Sequence, residues 1–305
     1  MSAPSVVDVH QHLWPAALVE ALRARADPPR LDGWTLHLAA EAPFDVDPAD
    51  HDPDKRTARD AGDGIDRSVL SLSSPLGIEM LPPDEAAPLL TAWHRGGLAL
   101  EAQYEAQYAV WAAPSLPEPD TAELGRLLDR GCVGLQVPAN AMATPHGLER
   151  LAGLLEVCQD RGKPVLVHPG PARAVAGRVP QWWVPVVDYV GQLHGAWWAW
   201  HQAGRALLPT LRICFAAAGG LAPVHHERLV ARGGRFGRVD PDVFVDTSSY
   251  GPRGVDAVVR VLGIDAVVLG SDRPYAAPTD PALGEAATYA IRCVNPHRLL
   301  EGDTP

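Results

Sequence analysis

The sequence lacks several features that are typical of particular classes of protein. It has no cluster of Lys or Arg, and its 305 residues carry a net charge of −11. This argues against a nucleic-acid partner, because affinity for nucleic acid depends on cationic side chains that neutralise phosphates. No apolar run approaches the roughly 18 to 20 residues that span a bilayer, and the N-terminus has no basic region followed by a long apolar stretch. We therefore expect no membrane partner and a cytoplasmic location.

Paired cysteines, internal repeats and low-complexity tracts are also missing. The four cysteines are scattered, and no two of them form a C-x-x-C pair. This spacing gives neither a disulfide framework nor a thiolate metal site. We expect four buried, reduced thiols at Cys132, Cys158, Cys214 and Cys293.

Apolar, β-branched runs recur along the chain between stretches with helical spacing, and 47% of all residues are hydrophobic. Nearly continuous apolar strands that alternate with helices are typical of a parallel sheet covered by helices. Eight such units predict an α/β protein with a (β/α)8 TIM barrel. The predicted strands are Val6–His10, Ser68–Leu72, Tyr108–Ala112, Cys132–Val137, Pro164–His168, Leu211–Ala216, Val243–Asp246 and Ala266–Gly270. The predicted helices are Asp84–Gln103, Ala122–Arg130, His146–Arg161, Val184–Ala206, Pro223–Ala231, Arg253–Leu262 and Ala282–Cys293.

Residues 13–66 differ in character from the remainder of the chain. They carry the acidic, turn-rich stretch DVDPADHDPD and are too long for an ordinary loop. We interpret them as an insertion after the first strand, a lid or subdomain that folds over the mouth of the barrel and contributes to the substrate pocket. A disordered linker is the alternative. The interpretation makes residues 1–305 a single TIM-barrel domain.

The segment VVDVHQH ends the first predicted strand on two histidines. Side chains two residues apart in a strand point to the same face, so His10 and His12 can present both imidazoles to one point. His168 ends the fifth strand and Asp272 follows the eighth, which is a neighbour of the first in a closed barrel. Functional groups in this fold gather at the C-terminal ends of the strands. Three imidazoles and one carboxylate suit a divalent metal, zinc by default, with iron or manganese as alternatives.

Four motifs in strand order carry a resemblance to a known family. They are DVHQH at the first strand, VHPG at the fifth, FVDTSSY at the seventh and GSDRPY at the eighth. Together they resemble the amidohydrolase superfamily, in the family-2 branch that includes aminocarboxymuconate semialdehyde decarboxylase and related metal-dependent decarboxylases and hydrolases. The resemblance implies that His10, His12, His168 and Asp272 ligate a single metal ion, with water or substrate completing the site.

One departure from the family pattern bears directly on the chemistry. Relatives carry an acid/base histidine after the sixth strand, and Ala217 occupies that place here. His225 is a candidate to replace it, although the next residue is also a histidine and adjacent helical residues point about 100° apart. Arg228 would suit a substrate carboxylate through a bidentate hydrogen bond. A surface ion pair with Glu227 is the alternative for Arg228.

Aromatic and polar residues near the expected mouth complete the set of candidates. Trp14, Trp182 and Trp183 are predicted to line an apolar substrate pocket, with core packing or a subunit interface as the alternative. His201 and Asp246 are candidates for a second metal site or a base. Asp246 could also orient a ligand histidine or cap the following helix.

The function predicted from these residues is a metal-dependent hydrolase. Its substrate would be a largely apolar, carboxylate-bearing small molecule with a C–N or C–O carbonyl bond, and Asp272 would take the proton of a metal-bound water. Two alternatives stay open on the same fold. One is an oxygenase with two iron or manganese ions, and the other is a non-oxidative decarboxylase. Relatives are often dimers, so we expect a homodimer.

Overall fold

Eight parallel strands form the centre of the molecule. The computed structural model describes residues 5–175 and 177–302. The strands of the eight-stranded sheet follow one another in chain order, β1-β5-β6-β7-β8-β9-β10-β11. Their bounds are β1 Val7–Gln11, β5 Arg67–Leu70, β6 Tyr108–Ala112, β7 Gly134–Pro138, β8 Val165–His168, β9 Ile213–Phe215, β10 Val243–Asp246 and β11 Val267–Val268.

The last strand returns to the first, so the sheet closes on itself. The amide of Val9 donates to the carbonyl of Leu269 over 2.9 Å, and the amide of Asp272 donates to the carbonyl of His10 over 2.9 Å. Parallel strands joined by helices and closed in this way form a (β/α)8 barrel. The predicted fold class is confirmed, and each predicted strand matches an observed one to within two residues at either end.

The barrel interior is filled with apolar side chains. One buried cluster includes Val9, Val69, Trp111, Leu166 and Phe244, which come from five different strands. The indole Nε1 of Trp111 donates to the carbonyl of Val9 over 2.9 Å, so the one polar atom of this ring is satisfied. The barrel is therefore a packed core that leaves only the strand ends for chemistry.

Helices surround the barrel. Their bounds are α1 Ala16–Arg23, α2 Pro53–Gly62, α3 Pro83–Gln103, α4 Thr121–Asp129, α5 Pro145–Asp160, α6 Tyr189–Ala199, α7 Arg205–Leu207, α8 His226–Ala231, α9 Pro252–Leu262, α10 Glu285–Tyr289 and α11 Asn295–Glu301. Several begin with proline in the first turn, where its missing N–H costs no hydrogen bond. No helix in the described ranges is both long and apolar enough to cross a membrane.

The segment between β1 and β5 has secondary structure of its own. It contains α1, a three-stranded antiparallel sheet and α2, whose first turn is capped by the side chain of Asp52. The strands of this small sheet are β2 Arg30–Asp32, β3 Thr35–His37 and β4 Phe44–Asp45. The segment is therefore folded and not a disordered linker.

Three helical predictions need correction in detail. The long helix predicted over Val184–Ala206 is interrupted by π-helical turns at Val184–Asp188 and Trp200–Gly204. The helix predicted from Pro223 begins at His226, because the preceding turn continues to His225. The helix predicted over Ala282–Cys293 begins only at Glu285 and becomes π-helical over Ala290–Val294. The four cysteines are buried and free, as predicted.

Candidate metal centre

Four side chains converge at the C-terminal end of the barrel. His10, His12, His168 and Asp272 each place one ligand atom within 4.8 Å of all the others. Nε2 of His12 lies 3.2 Å from Nε2 of His10 and 3.1 Å from Oδ1 of Asp272. The structure thus brings together the four residues that the motifs predicted as ligands.

The outer nitrogen of each imidazole already has a hydrogen-bond partner. Nδ1 of His12 lies 2.8 Å from the Ser71 carbonyl, and Nδ1 of His168 lies 2.8 Å from the Pro169 carbonyl. Carbonyl oxygens only accept, so both Nδ1 atoms carry a hydrogen and both Nε2 atoms offer a lone pair. Nδ1 of His10 is likewise 2.7 Å from Oδ2 of Asp246. Outer contacts of this kind orient metal-binding imidazoles, so three nitrogens and one carboxylate fit a divalent transition metal.

The pKa of His10 is shifted in the opposite direction from the pKa values of the other two imidazoles. Burial lowers the pKa of His12, and it lowers the pKa of His168 well below the usual value. Burial is the largest single effect on His10 and opposes its protonation, but the carboxylates of Asp246, Asp272 and Asp8 together outweigh it and raise the pKa of His10 to about 9, with Asp246 contributing most of the increase. The carboxylates favour positive charge at this imidazole, and a bound cation would compete with the proton for Nε2.

Both carboxylate oxygens of Asp246 hold neighbouring groups in place through hydrogen bonds. Its Oδ1 accepts from the amide of Ala217 at 2.8 Å, from the amide of Ser248 at 2.9 Å and from the Ser248 hydroxyl at 2.6 Å. Its Oδ2 accepts from His10. Among the roles left open by the sequence, the structure favours orientation of a ligand histidine. Within residues 5–175 and 177–302 the four-residue cluster is the only group of His, Cys, Asp or Glu placed to hold an ion.

Access to the cluster is one-sided. The side chain of Asp272 is 21% exposed, whereas the three histidines are buried. Asp272 also has a φ of 58°, an uncommon backbone conformation for a residue with a side chain. The hydrogen bond from its amide to the His10 carbonyl holds it in this position. A substrate would therefore reach the cluster from the side of Asp272.

Two buried arginines, Arg56 and Arg273, join α2 to the residues around the cluster. Arg56, on α2, donates to the His12 carbonyl over 2.6 Å and also to the side chain of Gln11. Arg273 donates to Oδ1 of Asp60, also on α2, over 2.5 Å. The segment between β1 and β5 is therefore tied to the backbone of the cluster.

The residues predicted to act beside the metal do not join the cluster. His225 is exposed, and its ring contacts that of His194 at a centroid distance of 5.0 Å. Arg228 is exposed on α8. His201 is exposed as well, 3.3 Å from the Arg235 carbonyl. Ala217 presents only its amide, to Asp246 and to the Ser248 hydroxyl.

The three tryptophans differ in their surroundings. Trp14 is completely buried, stacks on His51 and donates from Nε1 to the Ser73 hydroxyl over 3.0 Å. It cannot line a pocket by direct contact. Trp182 is 57% exposed and lies 5.9 Å from the partly buried Trp183, centroid to centroid. The aromatic pair remains a candidate contact surface.

Sequence reasoning missed residues that border the open side of the cluster. The ring of Tyr275 contacts the ring of His12, with centroids 5.5 Å apart. The hydroxyl of Tyr189, on α6, donates to Oε1 of Glu41 over 3.4 Å. The motif GSDRPY contains Tyr275 three residues after Asp272, and this short spacing could have placed Tyr275 near the cluster. No pattern links Glu41 to Tyr189, which lie 148 residues apart.

The sequence has a relative of known activity, although no family model matches it. It is 26% identical to a 2-amino-3-carboxymuconate-6-semialdehyde decarboxylase of Dictyostelium discoideum over 243 residues, which are 73% of this chain and 67% of that protein.

Solved structures show the same fold. An apo structure of IDCase from Metarhizium anisopliae matches with a TM-score of 0.79 and 19% identity, over 99% of this chain and 98% of that one. A 5-carboxyvanillate decarboxylase from Novosphingobium aromaticivorans, complexed with manganese and 4-hydroxy-3-methoxy-5-nitrobenzoic acid, matches with a TM-score of 0.71 and 15% identity, over 98% and 96%. The resemblance predicted from the motifs is confirmed: the chain is similar to an aminocarboxymuconate semialdehyde decarboxylase, and its barrel has the fold of these solved decarboxylases.

Proposed function

We propose that the protein is a metal-dependent, non-oxidative decarboxylase of a small aromatic or enoic acid. The observation that carries the proposal is the convergence of His10, His12, His168 and Asp272 at the barrel mouth. The named relatives support decarboxylation over hydrolysis, since both the Dictyostelium protein and the Novosphingobium protein are decarboxylases. The hydrolase predicted from the sequence has no comparable support among them.

The cluster residues would hold one divalent cation. Manganese is the first ion to test, because the Novosphingobium enzyme contains it, and zinc remains the ion predicted from the ligand types. When bound, the cation would stabilise negative charge that develops on the substrate as carbon dioxide leaves. The fixed outer hydrogen bonds of the imidazoles keep the donor atoms in place before the ion arrives.

Asp272 is proposed to direct the proton transfer. In decarboxylation the bond from the ring or alkene carbon to the carboxyl carbon breaks, its electron pair stays on the substrate carbon, and that carbon then takes a proton. A water molecule hydrogen-bonded to the Asp272 carboxylate would supply this proton, since Asp272 is the cluster residue that solvent and substrate reach. The reaction consumes one proton, which the water gives up as it becomes hydroxide, and needs no histidine at Ala217.

We also propose that residues 13–66 form a lid over the mouth. The hydrogen bond from Tyr189 to Glu41 joins this segment to α6, and burial raises the pKa of Glu41. A closed lid would exclude water from the developing charge. The homodimer remains a prediction.

The decisive experiment is a product assay with the manganese-loaded protein. Incubation with 5-carboxyvanillate and 2-hydroxybenzoate should release carbon dioxide and give the decarboxylated ring, measured by mass spectrometry. The His12→Ala variant should lose both its metal and this activity, whereas His146→Ala, at an exposed position, should keep both. Hydrolysis of amide or lactone substrates by loaded protein that releases no carbon dioxide would instead favour the hydrolase predicted from the sequence.

A further inference from the structure

A cavity apart from the metal centre lies beside the N-terminal end of β10. Its volume is about 480 Å³, which is within the range of small-molecule sites. Its wall includes part of the π-helical turn Trp200–Gly204 and part of the chain that leads from α8 to β10. The four cluster residues lie at the opposite, C-terminal ends of the strands, and none of them lines this cavity. The cavity is therefore separate from the candidate metal centre.

Four aromatic rings line the cavity. They belong to Trp197, Trp200, His226 and Phe236. The His226 ring lies 3.9 Å from that of Phe236 and 6.0 Å from that of Trp197, centroid to centroid. Trp197, Trp200 and His226 are at most 5% exposed, so packing holds these three rings in place. A wall of this kind suits a flat, apolar ring system.

Two N–H groups of the lining residues have no acceptor. The indole Nε1 of Trp197 donates to Nε2 of His226 over 3.3 Å. Burial lowers the pKa of His226 to about 4, so the ring is neutral and carries its single hydrogen on Nδ1. Among the described residues, Nδ1 of His226 and Nε1 of Trp200 find no hydrogen-bond partner. Buried donors without a partner are uncommon, and a ligand with oxygen acceptors would satisfy them.

Arg238 supplies a positive charge at this cavity. The other lining arginine, Arg205, holds Asp240 through two hydrogen bonds, of which the one from Nη2 to Oδ1 spans 3.0 Å, so these two charges cancel. Asp242 is engaged with other residues as well. Arg238 is exposed and makes no hydrogen bond or ion pair with the part of the chain that the structure describes. The cavity thus combines flat apolar walls, N–H donors and an uncommitted cation.

We propose that this cavity binds a small aromatic acid, with the ring of the acid against Phe236 and the tryptophans and its anionic group toward Arg238. The site is distinct from the metal centre. It goes beyond the proposed function and does not depend on it, because it concerns binding and can be tested without turnover.

The test measures equilibrium binding of naphthalene-2-sulfonate by calorimetry, to manganese-loaded and to metal-free protein. The two affinities should agree, since no cluster residue lines the cavity. Phe236→Ala should weaken binding about 10-fold through the loss of ring contact. Arg238→Gln should weaken it about 2- to 5-fold, as expected for an exposed ion pair. The same substitution should leave the binding of uncharged naphthalene-2-ol unchanged.

Arg232→Gln is the matched control, because Arg232 is an exposed arginine of the same segment that does not line the cavity. It should bind the sulfonate as wild type does. Circular dichroism checks the fold of Phe236→Ala, and if that variant does not fold, the exposed Arg238→Gln decides the question alone.

Three results would overturn the proposal. One is the absence of sulfonate binding to wild-type protein, and another is an equal affinity of Arg238→Gln and wild type for the sulfonate. The third is binding that disappears when manganese is removed, which would place the ligand at the metal centre. A protein that binds the sulfonate in this way but releases no carbon dioxide from any acid would refute decarboxylation and leave this site standing.

Discussion

A single carboxylate, Asp246, connects the cluster to the turn that follows β9. It is buried, and three donors converge on its Oδ1 while His10 takes Oδ2. An amide in its place could not satisfy this arrangement. With its NH2 toward Ala217 and Ser248 it would face other donors, and with its NH2 toward His10 it would move the imidazole hydrogen to Nε2, where the metal binds.

Asp246→Asn should therefore lower metal affinity by about 10- to 100-fold, the range typical for lost outer contacts of ligand histidines. Competition for manganese against a calibrated chelator measures this, with circular dichroism to confirm the fold. Asp256→Asn is the control, because the Asp256 side chain is 42% exposed and pairs with Arg260 on the same helix. An unchanged affinity in Asp246→Asn would show that His10 needs no carboxylate partner.

At the scale of residues, the sequence predicted the positions of side chains that strand geometry determines, but few of their contacts. His10, His12 and His168 could be assigned because a two-residue period and a strand end place a side chain without knowledge of its neighbours. The contact between His10 and Asp246 joins residues 236 positions apart, so its partner role stayed one of several options. Trp14 was expected in the pocket, but the loop after β1 turns its ring into the core beside His51.

At the scale of elements, the turn after β9 is the least regular part of the barrel rim. Residues 217–221 all have positive φ, between 48° and 60°. Two alanines and a leucine are among them, and each such residue costs roughly 1–2 kcal/mol in this conformation. Hydrogen bonds from the Ala217 amide to Asp246 and Ser248 offset part of that cost. The turn is thus held in place by the same carboxylate that orients His10.

Gly220 is the point at which this turn touches α6. A Cβ there would lie 3.1 Å from the Val190 carbonyl oxygen and 3.2 Å from Cβ of Leu193. Gly220→Ala should therefore destabilise the protein by about 2 kcal/mol or more, from backbone strain and crowding together. Gly233→Ala isolates the strain, since Gly233 has a φ of 87° with nothing near its Cβ position. Urea unfolding should show the smaller loss for Gly233→Ala, and equal losses would argue against crowding at α6.

Element boundaries show why this turn escaped prediction. Pro223 is a good first residue for a helix, and the sequence therefore predicted a start there. In the structure the irregular turn extends past it and α8 begins three residues later, at His226. Runs of alanine and glycine carry no periodic signal that distinguishes such a turn from a loop. The eight strands, in contrast, were predictable because each is almost continuously apolar.

At the scale of the whole molecule, three buried histidines are held neutral in separate regions. Each accepts a hydrogen bond from an N–H: His51 from the Trp14 amide, His94 from the Ala113 amide and His226 from the Trp197 indole. Burial is the main cause that lowers their pKa values, to about 3 for His51 and about 4 for the other two. Protonation would remove the acceptor and leave a charge in the core.

The sign of the pH effect follows from linkage. A histidine in the unfolded chain binds a proton below its usual pKa of 6.5, whereas burial lowers the pKa of folded His94 to about 4. Between these values the unfolded state holds more protons, so stability falls as the pH is lowered. Burial of carboxyls has the opposite effect: it raises the pKa of Asp8 to about 6 and also raises the pKa values of Glu41, Glu79 and Glu101. Burial lowers the pKa of six histidines, which outnumber these four carboxyls, and we expect the metal-free protein to lose stability from pH 6.5 downward.

His94 offers the sharpest test of this expectation. It should account for about 2 kcal/mol of the stability lost between pH 7.5 and pH 5. His94→Gln keeps an acceptor for the Ala113 amide but cannot titrate. Its free energy of unfolding should therefore fall by about 2 kcal/mol less than that of wild type over the same interval. Urea unfolding of the metal-free proteins at both pH values gives the comparison, and His146→Gln, at an exposed position on α5, should behave as wild type. If His94→Gln and wild type lost the same stability, protonation of this buried imidazole would not contribute to the acid sensitivity of the fold.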